Sequence, residues 1–227
     1  MVLRVLAIVG LASLLIGLGY LVMGFLGWRG PHRRARFMRA IGFACVYPLV
    51  FLIQQTLIHR VMLPAMARER QQSRQKRVDE VAFVKRGDKA PSFKIRDVDG
   101  NQFSTDELRG KVVLVNFFAT WCGPCLKELP HIQAIWQEHK NRDDFALLVI
   151  GREESDATAQ GFRTTSGFSF PVAADPDRSV YSLFAKELIP RTFVIAKDGT
   201  VSFSSTGFVE EDIAALRTEL TTRLGAD

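Results

Sequence analysis

The sequence predicts an α/β fold, with a mixed central sheet flanked by helices, behind an N-terminal α-helical membrane anchor. Two observations predict this architecture. Long uncharged apolar segments fill much of residues 1–66, and from residue 90 onward strand-like apolar runs alternate with segments of helical periodicity. The chain is therefore expected to comprise a membrane anchor at 1–66, a polar linker or stalk at 67–89 and a folded domain at 90–227.

Two apolar segments, at about 5–28 and 40–59, each predict a transmembrane helix. Residues 5–28 carry no charge and would extend roughly 36 Å as a helix, which is enough to cross a bilayer core. A cleaved signal peptide is disfavoured, because this segment is too long and ends in Gly-Trp-Arg without a small-residue cleavage site. The second segment contains Pro48, which membrane helices tolerate. A helix lying in the membrane interface is the alternative for it.

The positive charge of the chain is concentrated in its N-terminal part. The net charge is +6, but residues 1–89 carry +11 and residues 90–227 carry −5. Nucleic-acid binding is a poor explanation, because the folded part is acidic and lacks a basic stripe. The basic side chains of 67–89 are expected near lipid headgroups or in water. Cys45, inside the second apolar segment, is interpreted as a small buried hydrophobe.

The orientation in the membrane follows from the loop between the two segments. Residues 29–39 contain five arginines, and positive loops favour the cytoplasm. This places both termini and the folded domain on the outer side of the membrane. The basic stretch that follows residue 59 opposes this orientation, so the charge rule alone does not decide between the two, and the tight cluster of five arginines favours the outer side.

The folded domain reads as a series of strands and helices. A hairpin turning at Asp99-Gly100-Asn101 comes first, and a second hairpin turns at Asp198-Gly199. Between and after them, hydrophobic periodicity predicts these elements: strands at 112–118 and 145–151, an extended segment at 170–176, and helices at about 123–140, 155–166, 178–186 and 210–224.

The stretch VVLVNFFATWCGPC at 112–125 carries the chemistry. It places Cys122 and Cys125 between the end of a buried strand and the first turn of a helix. A helix N-terminus favours a thiolate, and the thiolate is the nucleophile of disulfide exchange. A zinc site would need two more ligands, for which only His131 and His139 are near. Haem attachment would need a histidine in place of Leu126. A redox-active dithiol is therefore favoured over a metal site and over a structural disulfide.

These residues resemble the thioredoxin fold, and more specifically the TlpA/ResA-type membrane-anchored thiol–disulfide oxidoreductases. The resemblance rests on WCGPC after a buried strand, the CLKELP continuation, the N-terminal hairpin and IPRTFVI ahead of the second hairpin. It covers about 90–227. It implies a thioredoxin-like domain that acts on protein disulfides through its dithiol.

The resemblance also implies roles for individual residues. Cys122 matches the attacking cysteine, Cys125 the resolving cysteine and Gly123-Pro124 the active-site turn. Trp121 matches an aromatic residue that shields this turn and contacts substrate. Ile189-Pro190 matches the cis-proline segment, beside which an extended client can pair.

Three polar positions bear on the resemblance, and two of them, Asn116 and Arg191, depart from the usual pattern. Asn116 stands where thioredoxin has a buried Asp, and asparagine cannot titrate. Members of the ResA type instead have a glutamate three residues after the second cysteine, and Glu128 stands there. It is expected to handle the proton of the resolving thiol; a solvent-facing helical glutamate is the alternative. Arg191 is interpreted as a solvated side chain.

The sequence thus predicts a bacterial inner-membrane thiol–disulfide oxidoreductase whose catalytic domain faces the periplasm or exterior. Its expected partners are a disulfide-containing client such as apocytochrome c, a membrane electron donor and the lipid bilayer. No metal or other cofactor is expected. The alternatives are a disulfide oxidase or isomerase, a thiol peroxidase, whose Pro-xxx-Thr-xx-Cys pattern is absent, and a non-catalytic binding scaffold, which retention of both cysteines disfavours.

Overall fold

The computed structural model describes residues 49–225, together with the isolated helical residues Gly19 and Val22. The chain forms two compact units, Met1–Arg74 and Gln75–Asp227. Apart from those two positions, the predicted span at 5–28 lies outside the described residues, as do Cys45 and the first part of the span at 40–59.

Helix α1, Leu49–Val81, is long and apolar enough to cross a membrane, and among the described residues it is the one helix that meets this criterion. Its N-terminal half exposes large apolar side chains such as Leu52 and Ile53, a surface that water solvates poorly. Residues Ile58–Met62 form a π-helical turn. Pro64 follows this turn; because proline lacks an N–H and clashes with the carbonyl four residues earlier, the helix widens ahead of it.

The second unit is an α/β domain. The bounds of its strands are β1 Lys94–Arg96, β2 Gln102–Ser104, β3 Val112–Phe118, β4 Phe145–Arg152, β5 Val172–Asp175, β6 Arg191–Ile195 and β7 Val201–Thr206. Its helices are α2 Gly123–His139, α3 Asp156–Ser166, α4 Tyr181–Phe184 and α5 Glu210–Leu224.

Strands β3 to β7 form a five-stranded mixed sheet in the order β5-β4-β3-β6-β7. Strands β3, β4 and β5 are parallel, and β6 and β7 run antiparallel to their neighbours. All seven residues of β3 are buried, as expected for a central strand covered on both faces. The predicted mixed sheet flanked by helices is confirmed.

Two apolar layers cover the sheet. On one face, α2, α3 and α5 pack against the side chains of Leu114 and Phe118. On the other face, α4 and the β1–β2 hairpin pack around Phe117 and Phe193. Alternate residues of β3 therefore point into different cores, and Asn116 shares the face of Leu114 and α2.

The predicted helix near 178–186 is a single turn in the structure. Asp175 at the end of β5 accepts hydrogen bonds from the backbone N–H groups of Val180 and Tyr181, at 3.2 and 2.7 Å, which anchors the start of α4. The turn ends because Ala185 is extended and forms an isolated antiparallel bridge with Ala82. A long-range backbone pairing therefore overrides the local helical pattern.

We predict that Phe117→Ala destabilises the domain strongly. The Phe117 ring lies 5.1–6.2 Å from the rings of Tyr181, Phe184 and Phe193 and is fully buried, so truncation leaves a cavity that costs about 3–5 kcal/mol. Denaturant unfolding of the full chain in detergent micelles measures this loss. The matched control is Phe83→Ala, because Phe83 is 59% exposed and should lose less than about 0.5 kcal/mol. Equal losses in the two variants would contradict the packing described here.

Candidate functional site

The two cysteines of the WCGPC turn form a disulfide at the start of α2, with their Cα atoms 5.2 Å apart. Cys122 is the N-cap residue of α2, and its Sγ accepts a hydrogen bond from the backbone N–H of Cys125 at 3.3 Å. Cys122 retains 6% of its surface exposure and Cys125 none. The unpaired N–H groups and the dipole of the helix N-terminus stabilise a thiolate at Cys122 once the bond is reduced.

The turn ahead of the cysteines is held by a buried glutamate that the sequence analysis missed. Glu154 Oε1 accepts hydrogen bonds from the backbone N–H of Thr120 at 2.7 Å and from its hydroxyl at 2.8 Å. At Gly151, a β-carbon would lie 3.1 Å from the Cβ and Cγ of Glu154, so glycine leaves room for this side chain. The sequence signal that could have found this residue was the acidic pair at 153–154, directly after β4. Because β3 and β4 are parallel, their carboxyl ends lie side by side.

Trp121 directly precedes Cys122, and the Ile189-Pro190 segment directly precedes β6. Trp121 is 66% exposed, and the guanidinium carbon of Arg152 lies 6.0 Å from the centre of its ring. The Ile189-Pro190 peptide bond is cis, as the resemblance implied. Pro190 is buried and Ile189 half-buried. The Pro190 carbonyl accepts a hydrogen bond from the backbone N–H of Gly207 at 2.8 Å.

Glu128 lies one helical turn after Cys125 and is 2% exposed. Its Oε2 accepts a hydrogen bond from Asn116 Nδ2, and its Oε1 accepts one from the Thr192 hydroxyl, both at 2.8 Å. Asn116 Nδ2 also donates to Thr192 Oγ1 at 2.8 Å. The alternative of a solvent-facing helical glutamate is therefore excluded. The structure brings Glu128 and Asn116 together and adds Thr192, which the sequence analysis did not identify.

Burial changes the acidity of Glu128. Desolvation raises its pKa from 4.5 to about 7, the hydrogen bonds from Thr192 and Asn116 oppose the rise, and the negative charge of Asp212 adds to it. Desolvation dominates because an ionised carboxylate loses its hydration in the interior. A carboxyl group that titrates near neutral pH can both accept and return a proton under physiological conditions.

Arg191 corrects one interpretation of the sequence. It was expected to be solvated, but the side chain is 1% exposed. Its position on β6 opposite Phe117 directs it into the core around α4. Its Nε donates to the carbonyls of Glu187 and Leu188 at 3.2 Å, and desolvation lowers its pKa. The residue holds the segment that leads to the cis-proline, a tertiary role that its place in the sequence did not indicate.

Arg191 belongs to a group of arginines around Tyr181. The guanidinium carbons of Arg152 and Arg178 lie 5.1 and 5.4 Å from the centre of the Tyr181 ring, and the Tyr181 hydroxyl donates to the Leu188 carbonyl at 2.7 Å. Cation–π contacts of this kind contribute about 0.5–2 kcal/mol each. Through Tyr181, they tie Arg152 at the carboxyl end of β4 to the segment that leads to the cis-proline.

Within the described residues, no group of three or more histidine, cysteine or acidic side chains could hold a metal ion. Helix α2 carries both the dithiol and the buried carboxyl group of Glu128.

Comparison with known proteins identifies relatives of this domain. The family described as Redoxin matches residues 85–220. The thiol–disulfide oxidoreductases ResA of Bacillus subtilis strain 168 and of Bacillus anthracis are each 32% identical, over 130 and 115 residues, which are 57% and 51% of this chain. The matches span 72% and 66% of those relatives. The solution structure of a candidate protein disulfide isomerase from Bacteroides thetaiotaomicron matches with a TM-score of 0.61 at 35% identity and covers 63% of this chain and 92% of that one.

We predict that Glu128 makes folding stability depend on pH. With a pKa near 4.5 when unfolded and about 7 when folded, the folded state binds more protons between these values. Stability should therefore fall by about 2–3 kcal/mol as the pH rises from 4.5 to above 7, and Glu128→Gln should abolish this component. Denaturant unfolding of both proteins across this range measures it. The control, Glu138→Gln, alters an exposed glutamate of α2 that pairs with Arg217 and should keep the wild-type slope. A wild-type slope in Glu128→Gln would refute the shifted pKa.

Proposed function

The chain belongs to the redoxin family and is a TlpA/ResA-type thiol–disulfide oxidoreductase, and from this premise we propose that it reduces disulfides of client proteins outside the cytoplasm. The observation that carries the proposal is the Cys122–Cys125 disulfide at the start of α2, with Cys122 at the surface side and Cys125 fully buried. This asymmetry supports attack by Cys122 and resolution by Cys125.

The reaction passes two electrons from the dithiol to the client. The Cys122 thiolate attacks one sulfur of the client disulfide, and the other client sulfur leaves as a thiolate and takes up a proton. The Cys125 thiol then loses its proton and its sulfur attacks Cys122 Sγ. This step closes the Cys122–Cys125 disulfide and releases the second client thiol. A membrane electron donor returns the enzyme to the dithiol.

Glu128 is the proposed acceptor for the Cys125 proton. The two residues are separated by one turn on α2, and positions three apart lie on the same helix face. A carboxyl group with a pKa of about 7 is partly ionised at neutral pH, so it can take the proton from a thiol and later return it. Glu138 is exposed and lies further along the same helix, so it is not expected to accept the Cys125 proton.

The client is proposed to dock beside the disulfide. The exposed Trp121 ring offers an apolar surface, and the backbone of Ile189, which precedes the cis-proline, can pair with an extended segment of the client. Docking of this kind places a client sulfur next to Cys122.

The site of action is proposed to be the outer side of a bacterial inner membrane. Helix α1 has the length and composition of a membrane span, and the five arginines at 29–39 favour the cytoplasm for the preceding loop. Disulfides persist outside the cytoplasm, so their reduction there requires a dedicated enzyme. The lipid bilayer and a membrane donor of electrons are the implied partners.

We predict that Cys125→Ser traps clients. The variant retains the attacking thiol but lacks the thiol that resolves the mixed disulfide, so client adducts should accumulate and disappear on addition of dithiothreitol. Non-reducing electrophoresis of membranes from expressing cells measures the adducts. Cys122→Ser is the matched variant, since it removes the attacking thiol and should trap few clients. Equal trapping by the two variants would overturn the assignment.

We predict that Cys122 is reached from outside the cell membrane. The chain contains three cysteines, so the variant Cys45→Ala with Cys125→Ser leaves Cys122 alone. After reduction, a membrane-impermeant maleimide should label it in intact spheroplasts, and additional Cys122→Ser should abolish the label. Labelling only after lysis would place the domain in the cytosol and refute the proposal that its clients lie outside the cytoplasm.

A further inference from the structure

Asn116, Thr192 and Glu128 form a closed ring of three hydrogen bonds in the core. Each bond is 2.8 Å long, and the three residues are 0, 1 and 2% exposed. We propose that Asn116 and Thr192 are positioning residues, which hold the Glu128 carboxyl group in place while it gains and loses its proton. This proposal rests on the role proposed above for Glu128. The ring holds the ionised carboxylate by donating a hydrogen bond to each of its two oxygens.

The ring as it stands fits an ionised Glu128. Asn116 Nδ2 uses one hydrogen for Glu128 and one for Thr192, and the Thr192 hydroxyl passes its hydrogen to the other carboxylate oxygen. Both carboxylate oxygens therefore accept, and neither needs a hydrogen of its own. Hydrogen bonds to an ionised acceptor are stronger than neutral ones, which limits the cost of holding a charge in the interior.

The protonated form of Glu128 keeps only part of this ring. A protonated carboxyl group has one O–H donor. A proton on Oε1 can be donated to Thr192 Oγ1, 2.8 Å away, while Asn116 Nδ2 still donates to Oε2. The Thr192 hydroxyl then no longer donates to Glu128, so the ring gives more hydrogen bonds to the ionised form than to the protonated form.

The amide of Asn116 donates to Glu128 without adding a charge. A leucine at this position offers no donor to the carboxylate. An aspartate would place a second carboxylate at hydrogen-bond distance, and two such groups cannot both ionise at neutral pH.

Few charged or titratable groups face Glu128. Strands β3 and β6 present the neutral Asn116 and Thr192, α5 contributes the charge of Asp212, and α2 itself contributes Cys125 one turn earlier. In the oxidised protein the two cysteines do not titrate, so a titration there concerns Glu128 with Asp212 as its charged neighbour.

The test is the titration of the Glu128 carboxyl group in the oxidised full chain in detergent micelles. Infrared difference spectra or carbon-13 side-chain NMR report its protonation directly, and Glu128→Gln identifies its signal. Thr192→Val and Asn116→Leu each remove donors to the ionised form, so each should raise the titration midpoint by about 1–2 pH units. Thr192→Ser restores the hydroxyl and should return the midpoint to the wild-type value.

The control is Ser202→Ala, which removes another buried hydroxyl, bonded to the Val194 carbonyl, and should leave the Glu128 midpoint unchanged. If Asn116→Leu fails to fold, Asn116→Asp replaces it and should give two coupled titration steps. Wild-type midpoints in Thr192→Val and in the position-116 variant would overturn the proposal.

The titration needs neither client nor reduced cysteines, so it separates two failures. If the variants shift the Glu128 midpoint but the wild-type chain reduces no client, the positioning roles stand and the proposed function is refuted. If the wild-type chain reduces clients but the variants leave the midpoint unchanged, the proposed function stands and the positioning roles are refuted.

Discussion

The contact of Glu128 with Asn116 and Thr192 is the constraint on which the rest of the domain depends. The antiparallel register of β3 and β6 places Asn116 opposite Thr192, and both face α2 across the sheet. Because side chains alternate between faces, a register slip of one residue would turn Thr192 to the opposite face and present Arg191 to the helix. The strand register, the position of α2 and the environment of the carboxyl group are thus one arrangement.

The same arrangement fixes the dithiol. Helix α2 begins at Gly123 directly after Cys122 and carries Glu128 in its second turn, so anchoring Glu128 on the sheet also sets where the helix N-terminus lies. The N-terminus is where the dipole and the unpaired N–H groups favour a thiolate. Glu128 and the reactive turn therefore belong to one helix, and Glu154, which follows β4, secures the turn by accepting hydrogen bonds from Thr120.

Local patterns in the sequence were enough to predict the sheet, both hairpins and the place of the two cysteines. These features depend on periodicity and turn residues within short windows, such as the buried run of β3. The burial of Glu128 could not be decided this way, since spacing on a helix does not say which face meets the sheet. Glu154 was missed because its partner, Thr120, is far away in the sequence. Arg191 was misread because its burial depends on the face of β6 that packs around α4, although its hydrogen-bond partners Glu187 and Leu188 are near in sequence. The early end of α4 likewise depends on the bridge between Ala185 and Ala82.

The most direct test of the account is the pH dependence of disulfide reduction by the full chain. If Glu128 accepts the Cys125 proton, the wild-type rate should change with an inflection near pH 7, the pKa of Glu128. Glu128→Gln should remove this inflection and slow the rate at neutral pH by about 10²-fold, while Glu138→Gln should behave like the wild type. A Glu128→Gln profile with the wild-type rate and inflection would contradict the account.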